Sequence, residues 1–378
     1  MKITDLEIYI LGGPAEEDRP HWVSHFPVPA ANELLVVLHT DTGISGFGLG
    51  SSNGSLEQTA QMFNQGLKDL IIGSDALAPE RLYERLFSLS WQKVAAEKGW
   101  TKPQLVLASA AVDIAMWDIL GKHCKLPLYR IFGGHREVVP CYVTCGYYRE
   151  GKDLDELREE MSLLKSQGHK AFKAKIGALS LEQDMERLHV IREVIGNEAE
   201  LMIDVNCGWD LSTALTAVKR LQEVNPRWLE EPVHWYDDRR LLKLLAQKTD
   251  IPLSSGESEL SAYGCRALLE ERAIQILQFD CTRMGGFTLG RKLSALAELN
   301  HVQVAPHHDC FIHAHIVAAS PSGLIVESFT DPERDPLQAE LFQNPPTIKD
   351  GMLYLNEDPG LGLILRNDTI EKYGHRIV

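Results

Sequence analysis

The chain is poor in positive charge and in long apolar runs, and each shortage excludes a class of protein. Its 378 residues carry 38 Lys and Arg against 53 Asp and Glu, a formal net charge of −15, and contain no basic block. Nucleic acid and anionic membranes are therefore poor partners. No stretch reaches the roughly 18 consecutive apolar residues of a membrane span. The first residues, MKITDLEIYI, alternate like a strand and do not suggest a signal peptide.

Closely spaced cysteines are also missing. The seven cysteines are scattered and contain no C-x-x-C pair, which favours reduced thiols in the cytoplasm over a disulfide framework. The 44% hydrophobic and 24% charged fractions are typical of a folded globular protein. At this length we expect one large α/β unit, alone or with a smaller partner domain.

A regular alternation of short apolar runs with amphipathic stretches begins near residue 130. Such an alternation is typical of a parallel sheet with helices packed around it. Eight runs favour a closed (β/α)8 barrel over an open, doubly wound sheet. The runs span residues 140–148, 171–177, 201–206, 227–233, 252–258, 273–280, 302–308 and 323–328.

The region before this alternation has a different pattern. Met1–Ile10 and Leu34–His39 alternate as half-buried strands do, whereas the glycine-rich segment 42–54 is typical of a turn and a loop. Residues 55–125 are predicted to be helical. The C-terminal tail alternates again in TIKDGMLYL, and we expect it to pack on the N-terminal region.

Three carboxylates end consecutive apolar runs. Asp204, Glu230 and Glu257 follow residues that we expect to be buried, and neighbouring strands lie about 4.8 Å apart, so the side chains can converge on one cation. All-oxygen ligation suits Mg²⁺, for which Mn²⁺ can substitute. The alternatives are helix N-caps in the loops or ion-pair partners of nearby Arg and Lys. Three carboxylates in register at one edge favour the metal site.

Four further ionisable residues end other runs. Lys173 and Lys175 lie two apart on a strand, so they point to the same side, and their repulsion is expected to lower the pKa of one and make it a base. Asp280 and His307 end neighbouring runs, where a carboxylate fixes the tautomer of an imidazole and raises its basicity. The alternatives are a solvated basic edge for the lysines and a structural role for the histidine.

The histidine-rich segment HHDCFIHAH also admits a zinc site. His313 and His315, however, fall in the following helix pattern, and the dense carboxylates favour a harder ion. A non-catalytic barrel, serving for binding or as a scaffold, would keep the hydrophobic pattern without needing charged strand ends. We therefore favour an enzyme with a magnesium site over both alternatives.

Eight short motifs occur in order along the chain: ASAAVDIAMWDILGK, KAKIG, IDVNCGW, WLEEPV, SSGES, LQFDCTRMGG, APHHD and IVES. In this series the chain resembles the mandelate racemase subgroup of the enolase superfamily over nearly its whole length. The resemblance implies an α/β fold, a modified TIM barrel of the (β/α)7β type at residues 129–339. It also implies an α+β capping domain formed by residues 1–128 and the tail 340–378.

The resemblance further implies a role for each candidate residue. The three carboxylates become ligands of one Mg²⁺ per subunit. Lys175 becomes the base on one face of the substrate, with Lys173 alongside, contacting the substrate carboxylate. Asp280 and His307 form a dyad on the opposite face, and Glu327 hydrogen-bonds the substrate carboxylate as it becomes an enediolate.

Two lid segments are expected in the N-terminal region. Within them, His21, Trp22 and Asn53 are expected to contact a polyhydroxy substrate, and Asn206, at a strand end, is expected to do the same. The expected partner is thus a small sugar acid. The resemblance also fits a homo-oligomer.

The predicted reaction is dehydration of an acid sugar. Lys175 or His307 removes the proton α to the carboxylate, and the protonated dyad helps the 3-hydroxyl to leave, giving a 2-keto-3-deoxy sugar acid. Racemisation or epimerisation of a 2-hydroxy acid needs the same two opposed bases and no leaving group, and it is the alternative. Muconate-type cycloisomerisation and dipeptide epimerisation are disfavoured, because those subgroups carry Lys where this chain has Asp280.

Overall fold

The structure is a computed structural model that describes residues 1–12, 20–28, 32–52 and 56–378. In that part of the chain, an antiparallel sheet of four strands stands beside a larger sheet that closes into a barrel. The strands are β1 (Ile3–Gly12), β2 (Asn32–Thr40), β3 (Ser45–Ser51), β4 (Val138–Cys145), β5 (Ala171–Lys175), β6 (Glu200–Asp204), β7 (Trp228–Glu230), β8 (Leu253–Ser255), β9 (Ile276–Leu277), β10 (Gln303–Val304), β11 (Val326–Ser328), β12 (Thr347–Lys349), β13 (Met352–Tyr354) and β14 (Gly374–Arg376).

The helices divide between the same two parts. Those before residue 125 cover the N-terminal sheet, and most of the later ones alternate with the barrel strands. They are α1 (Glu57–Met62), α2 (Lys68–Ile71), α3 (Pro79–Ser88), α4 (Lys93–Glu97), α5 (Lys102–Cys124), α6 (Leu128–Phe132), α7 (Leu154–Ser166), α8 (Leu181–Ile195), α9 (Leu211–Leu221), α10 (Asp238–Ala246), α11 (Ala262–Glu270), α12 (Gly286–Leu299), α13 (Cys310–Ala319), α14 (Pro336–Glu340) and α15 (Asn367–Tyr373).

The N-terminal sheet is a meander of β1, β2 and β3. The glycine-rich segment 42–54 was predicted to be a turn followed by a loop. The turn is present at residues 41–43, but the predicted loop was wrong for the described residues that follow, because β3 lies there. The reason is the close approach of α5. A Cβ atom on Gly48 would lie 2.0 Å from the backbone oxygen of Ala111, so only glycine lets the helix pack directly onto the strand.

Helix α5 joins the sheet to the barrel. By length and composition alone it could cross a membrane, but 89% of its most apolar window is buried inside the protein. It begins at a capping box formed by Thr101 and Gln104, which satisfies backbone N–H groups of the first turn. On its barrel side, Trp117 Nε1 donates to Thr288 Oγ1 at 3.0 Å, and that hydroxyl donates to Asp113 Oδ1 at 2.5 Å.

The barrel consists of parallel strands in the order β4 to β10, with β11 paired to the other edge of β4. Closure is completed by the chain before β11, where the Leu324 amide donates to the Val304 oxygen at 2.8 Å. Helices α7 to α13 connect the strands, and only the five-residue α14 follows β11. The predicted (β/α)7β barrel with a separate α+β unit is therefore confirmed.

An apolar layer fills the barrel interior below the carboxyl ends of the strands. Because alternate strand residues face inward, the residue two positions further along each strand lies one layer higher. On β5 this step leads from Ala171 to Lys173, and on β6 from Met202 to Asp204. An ionisable layer thus stands directly on the apolar one, which consists of Tyr142, Ala171, Met202, Trp228, Ile276, Ala305 and Ile325.

The C-terminal tail divides between the two parts of the molecule. TIKDGMLYL forms the hairpin of β12 and β13, which pairs with β4 through Leu353 and Val139. The expectation that this segment packs on the N-terminal region was therefore wrong. Only β14 joins the N-terminal sheet, antiparallel to β1. The hairpin extends the barrel sheet because the antiparallel edge of β4 at Val138–Pro140 lies below the parallel pairing with β5 and β11.

Candidate active site

Three carboxylates converge at the carboxyl ends of neighbouring barrel strands. Asp204 ends β6, Glu230 ends β7 and is its partner in register, and Glu257 follows β8. One oxygen of each lies within 4.8 Å of the others, and all three side chains are buried. Burial raises the pKa of Glu230 and Glu257, and the neighbouring carboxylates raise it further. A divalent cation would relieve this repulsion.

The donor set fits such an ion. Glu257 Oε2 has no hydrogen-bond partner among the described residues, although it is buried. Glu230 Oε2, in contrast, accepts from Trp228 Nε1 at 2.9 Å and from Gln278 Nε2 at 2.8 Å, so the orientation of its carboxylate is fixed. Buried carboxylates that supply only oxygen are suited to Mg²⁺.

Two lysines from β5 complete the charge balance. The buried Lys173 Nζ lies 2.6 Å from Glu230 Oε1 and 2.8 Å from Glu327 Oε1. Lys175 Nζ donates to Asp204 Oδ2 at 2.5 Å. Both side chains point to the same side of β5, into the barrel, as predicted from their spacing.

The expected lowering of a lysine pKa was wrong for this state of the protein. Burial has the largest effect and lowers the pKa of Lys175, and Lys173 lowers it as well. The acidic groups around it, chiefly Asp204, together raise the pKa by more, so that the net shift is upward. The pKa of Lys173 is raised as well, because the charges of Glu230 and Glu327 together outweigh the effect of burial. Repulsion between two ammonium groups is a minor effect where carboxylates surround both of them.

His307 and Asp280 form a hydrogen-bonded pair. His307 Nδ1 lies 3.0 Å from Asp280 Oδ2 and donates a hydrogen bond to it. The other ring nitrogen, Nε2, faces the three converging carboxylates and lies 3.4 Å from Glu257 Oε2. Burial alone would raise the pKa of Asp280, but the hydrogen bond from His307 and the charge of Arg283 hold it below its usual range. Asp280 is fixed further by the Thr282 amide and hydroxyl.

Glu327 lies between the lysine pair and the histidine. It accepts from Thr144 and Lys173 through Oε1 and from the His308 amide through Oε2, at 2.8 Å. Burial raises the pKa of Glu327, but Lys173 and His307 lower it well below its usual value. The carboxylate is therefore an acceptor in this state, and the donor role implied for it requires that it take up a proton.

His313 and His315 of the HHDCFIHAH segment are structural. His313 Nε2 accepts the Cys281 amide at 2.9 Å, and Nδ1 bonds the His308 oxygen. His315 Nδ1 accepts the Tyr129 amide, and Nε2 bonds the Leu361 oxygen. Backbone groups thus occupy both ring nitrogens of His313 and of His315, so neither of these two histidines can serve as a zinc ligand.

The expected substrate contacts are only partly brought to the site. Asn206 lines the cavity above the carboxylates, with its Oδ1 unpaired, whereas Asn53 lies outside the described residues. His21 does not line this cavity. It lies behind Tyr147, with its Nε2 3.7 Å from Asp331 Oδ2. Trp22 is 40% exposed and turns away from the cavity. Of the three neighbouring residues His21, Trp22 and Val23, only Val23 lines the cavity.

The cavity is open to solvent and draws its walls from both parts of the chain. Several of its residues were not predicted. Glu33 opens β2, and Arg334 lies in the DPERDP segment after β11. A charged loop is normally solvated, and only closure of the barrel shows that this one covers the site. The remaining unpredicted lining residues are Phe26, Val28, Asn32, Ser51, Ser52, Tyr147, Arg283, His308 and Phe329.

Both parts of the chain match described domains. Residues 6–133 match the mandelate racemase / muconate lactonizing enzyme N-terminal domain, and residues 156–369 match the enolase C-terminal domain-like family. A mandelate racemase/muconate lactonizing enzyme from a marine actinobacterium, solved in complex with magnesium, superposes with a TM-score of 0.88. It is 31% identical, and the match covers 100% of this chain and 99% of that one.

The similar proteins of known name catalyse more than one reaction. Arabinonate dehydratase of Saccharolobus solfataricus is 29% identical over 341 residues, 89% of each chain. L-talarate/galactarate dehydratase of Salmonella typhimurium is 28% identical, covering 90% of this chain and 82% of that protein. N-succinyl-L-Arg/Lys racemase of Bacillus cereus is 27% identical over 98% of both.

Proposed function

The chain belongs to the mandelate racemase and muconate lactonizing enzyme family of the enolase superfamily, and from this we propose that it is a Mg²⁺-dependent acid-sugar dehydratase. It is thus an enzyme, and dehydration of a sugar acid is its proposed reaction. The observation that carries the proposal is the pair of opposed proton-transfer groups. Lys175 on β5 and His307 after β10 lie on either side of the carboxylates of β6, β7 and β8.

The cofactor is Mg²⁺, and we assign Asp204, Glu230 and Glu257 as the residues that hold it. A proton α to a carboxylate is far too weak an acid for Lys or His to remove unaided. The bound ion supplies positive charge that stabilises the dianion formed when this proton leaves. The protein contributes the buried carboxylates and the donors Trp228 and Gln278 behind them.

The chain's own residues then account for the proton transfers. Lys175 Nζ or His307 Nε2 accepts the proton from C2, while Lys173 Nζ lies beside the substrate carboxylate. The C3–O bond breaks as the imidazolium of His307 gives its proton to the departing hydroxyl, so water leaves. The resulting enol tautomerises to a 2-keto-3-deoxy acid. Asp280 keeps the proton of Nδ1 in place, so that only Nε2 exchanges protons with the substrate.

The second candidate is racemisation or epimerisation of a 2-hydroxy acid. It is supported by the same opposed bases and by the similarity to a racemase. Racemisation differs from dehydration in what happens to the enediolate. In racemisation the enediolate is reprotonated at C2 and keeps its 3-hydroxyl. The polar wall formed by Asn32, Glu33, Ser51 and Ser52 suits a hydroxylated chain better than an aromatic ring, and it favours the dehydratase.

The experiment is a screen of purified protein with Mg²⁺ against aldonic and aldaric acids, with detection of carbonyl products. We expect a 2-keto-3-deoxy acid from at least one of them. Inversion at C2 of a simple 2-hydroxy acid, with no carbonyl product from any acid sugar, would establish the racemase instead. Failure to bind Mg²⁺ at all would favour a non-catalytic barrel.

Substrate, location and assembly follow from the same proposal. The partner is a small sugar acid, for which the polar and charged lining of the cavity supplies contacts. All seven cysteines are unpaired, which supports a reducing compartment such as the cytoplasm. A homo-oligomer remains a prediction, to be tested by light scattering of the purified protein.

We expect Asp280→Asn to leave the fold intact and to lower kcat by about 100-fold or more, because the neutral amide no longer stabilises a charged imidazole. The limb of the pH–rate profile that reports the imidazole should move to lower pH. The measurements are circular dichroism and kcat against pH. Normal turnover with an unchanged profile would make the Asp280–His307 contact structural.

We expect Gln278→Met to weaken Mg²⁺ binding by about 10- to 100-fold, because Glu230 Oε2 loses one of its two donors and the carboxylate can rotate. Methionine keeps the volume of the side chain. Calorimetric titration with Mg²⁺ measures the effect without reference to turnover. Gln303→Met, at an exposed position of β10, is the matched control. Equal affinities in both variants would contradict the assigned ligand.

A further inference from the structure

Arg334 places a buried cation in the wall of the active-site cavity. Its side chain is only 10% exposed, although it lies in a loop. The guanidinium packs on two aromatic rings, with Cζ 5.2 Å from the ring centroids of both Tyr147 and Phe329. Such packing holds the planar group rigidly while leaving its N–H edges available.

The guanidinium lacks a close counter-ion within the described residues. The carboxylate nearest to it is that of Asp335, whose Oδ2 lies 3.8 Å from Nη1. The same oxygen lies closer, at 3.3 Å, to His308 Nε2, so His308 shares the charge. Arg334 Nε has no hydrogen-bond partner, although it is buried. A buried cation with an unused donor normally faces an anion.

Arg334 lies across the barrel mouth from the residues that we assign to the metal. The magnesium ligands follow β6, β7 and β8, whereas Arg334 follows β11, on the opposite side of the barrel mouth. The ring of Tyr147 contacts both cations, with Lys175 Nζ 5.7 Å from its centroid and Arg334 Cζ 5.2 Å from it. A substrate whose α-carbon meets Lys175 therefore extends its far end toward Arg334.

We propose that Arg334 binds a second, distal carboxylate of the substrate, so that the natural substrate is an aldaric acid and not an aldonic one. This inference rests on the proposed dehydratase function and names its substrate class. A carboxylate matches the guanidinium edge with two parallel hydrogen bonds. The terminal hydroxymethyl group of an aldonate would leave the buried charge uncompensated, at a cost that discriminates strongly between the two classes.

The test compares acids that differ only at the distal carbon. The probes are galactarate with galactonate, glucarate with gluconate and mannarate with mannonate, together with 6-phosphogluconate. In the native protein, kcat/KM should be at least about 10-fold higher for the active aldarate than for its matched aldonate. Arg334→Gln should reduce that ratio by about 10- to 100-fold, mainly through KM for the aldarate. Arg334→Lys should restore part of it.

The control is Arg240→Gln, since Arg240 is exposed and pairs with Asp237 outside the cavity. It should leave the ratio as it is. Preference for an aldonate or for 6-phosphogluconate, or a ratio that Arg334→Gln does not change, would overturn the inference. If no acid is turned over, the dehydratase proposal fails, and calorimetric binding of the same pairs to Mg²⁺-loaded protein decides the inference. If the aldarates bind more tightly than the matched aldonates, and Arg334→Gln removes the difference, the inference on Arg334 is supported. Equal binding of the two classes refutes it.

Discussion

His307→Asn should abolish formation of the keto acid from every acid sugar that the native protein dehydrates. The imidazole is the group held in place by Asp280 and directed at the carboxylates, and asparagine cannot carry the proton that the departing hydroxyl needs. We expect turnover to fall by about 10²- to 10⁴-fold, the usual contribution of a general acid. Asparagine keeps a polar side chain of smaller size, so the fold should persist.

The same variant separates the two proton-transfer steps. If Lys175 is the initial base, His307→Asn should still exchange the C2 proton for deuterium in heavy water, which proton NMR detects. If exchange is also lost, His307 removes that proton itself. His301→Asn, in an exposed turn after α12, is the matched control and should behave like the native protein. Undiminished keto acid from His307→Asn would remove the dyad from the mechanism.

Removal of the metal should have the second large effect. Excess chelator should abolish turnover and lower the melting temperature, because the bound ion no longer offsets the mutual repulsion of the buried carboxylates. At a Mg²⁺ concentration 100 times its Kd, binding adds about 2.7 kcal/mol to the free energy of unfolding. Differential scanning calorimetry with and without chelator measures this, and full turnover in chelator would refute the assignment.

Glu257→Gln tests the same metal site by removing one of its proposed ligands. It should lose Mg²⁺-dependent turnover and most of the thermal stabilisation by Mg²⁺. In chelator, however, it should melt no lower than the native protein, because it has one buried charge fewer. Glu298→Gln, at an exposed position of α12, should retain both effects of Mg²⁺. A normal Mg²⁺ response in Glu257→Gln would exclude Glu257 as a ligand.

The barrel and its ionisable layer were predictable because both follow from period-two alternation. Asp204 and Glu230 are partners in register, so knowing that their strands are neighbours is enough to place their side chains together. The same holds for Lys173 above Ala171. Features that depend on one strand and its immediate neighbour can therefore be predicted from the local sequence pattern.

Properties that depend on several distant elements were not predictable. The direction of the Lys175 pKa shift depends on how many carboxylates surround it, and these come from other strands. The glycines of β3 indicated a loop because the helix that requires them lies far along the chain. Arg334 was overlooked for the same reason, since its burial depends on Tyr147 and on barrel closure.

The edge pairing of β1 has a consequence for synthesis of the chain. Leu11 pairs with Gly374 on β14, so the ribosome must add residues 12–373 before the partner of Leu11 is made. At about 5–20 residues per second, the edge of β1 waits tens of seconds for its neighbour. An uncovered strand edge invites pairing with other chains. Strands β5 to β9 each pair with the next strand along the chain, so their edges are covered much sooner than that of β1.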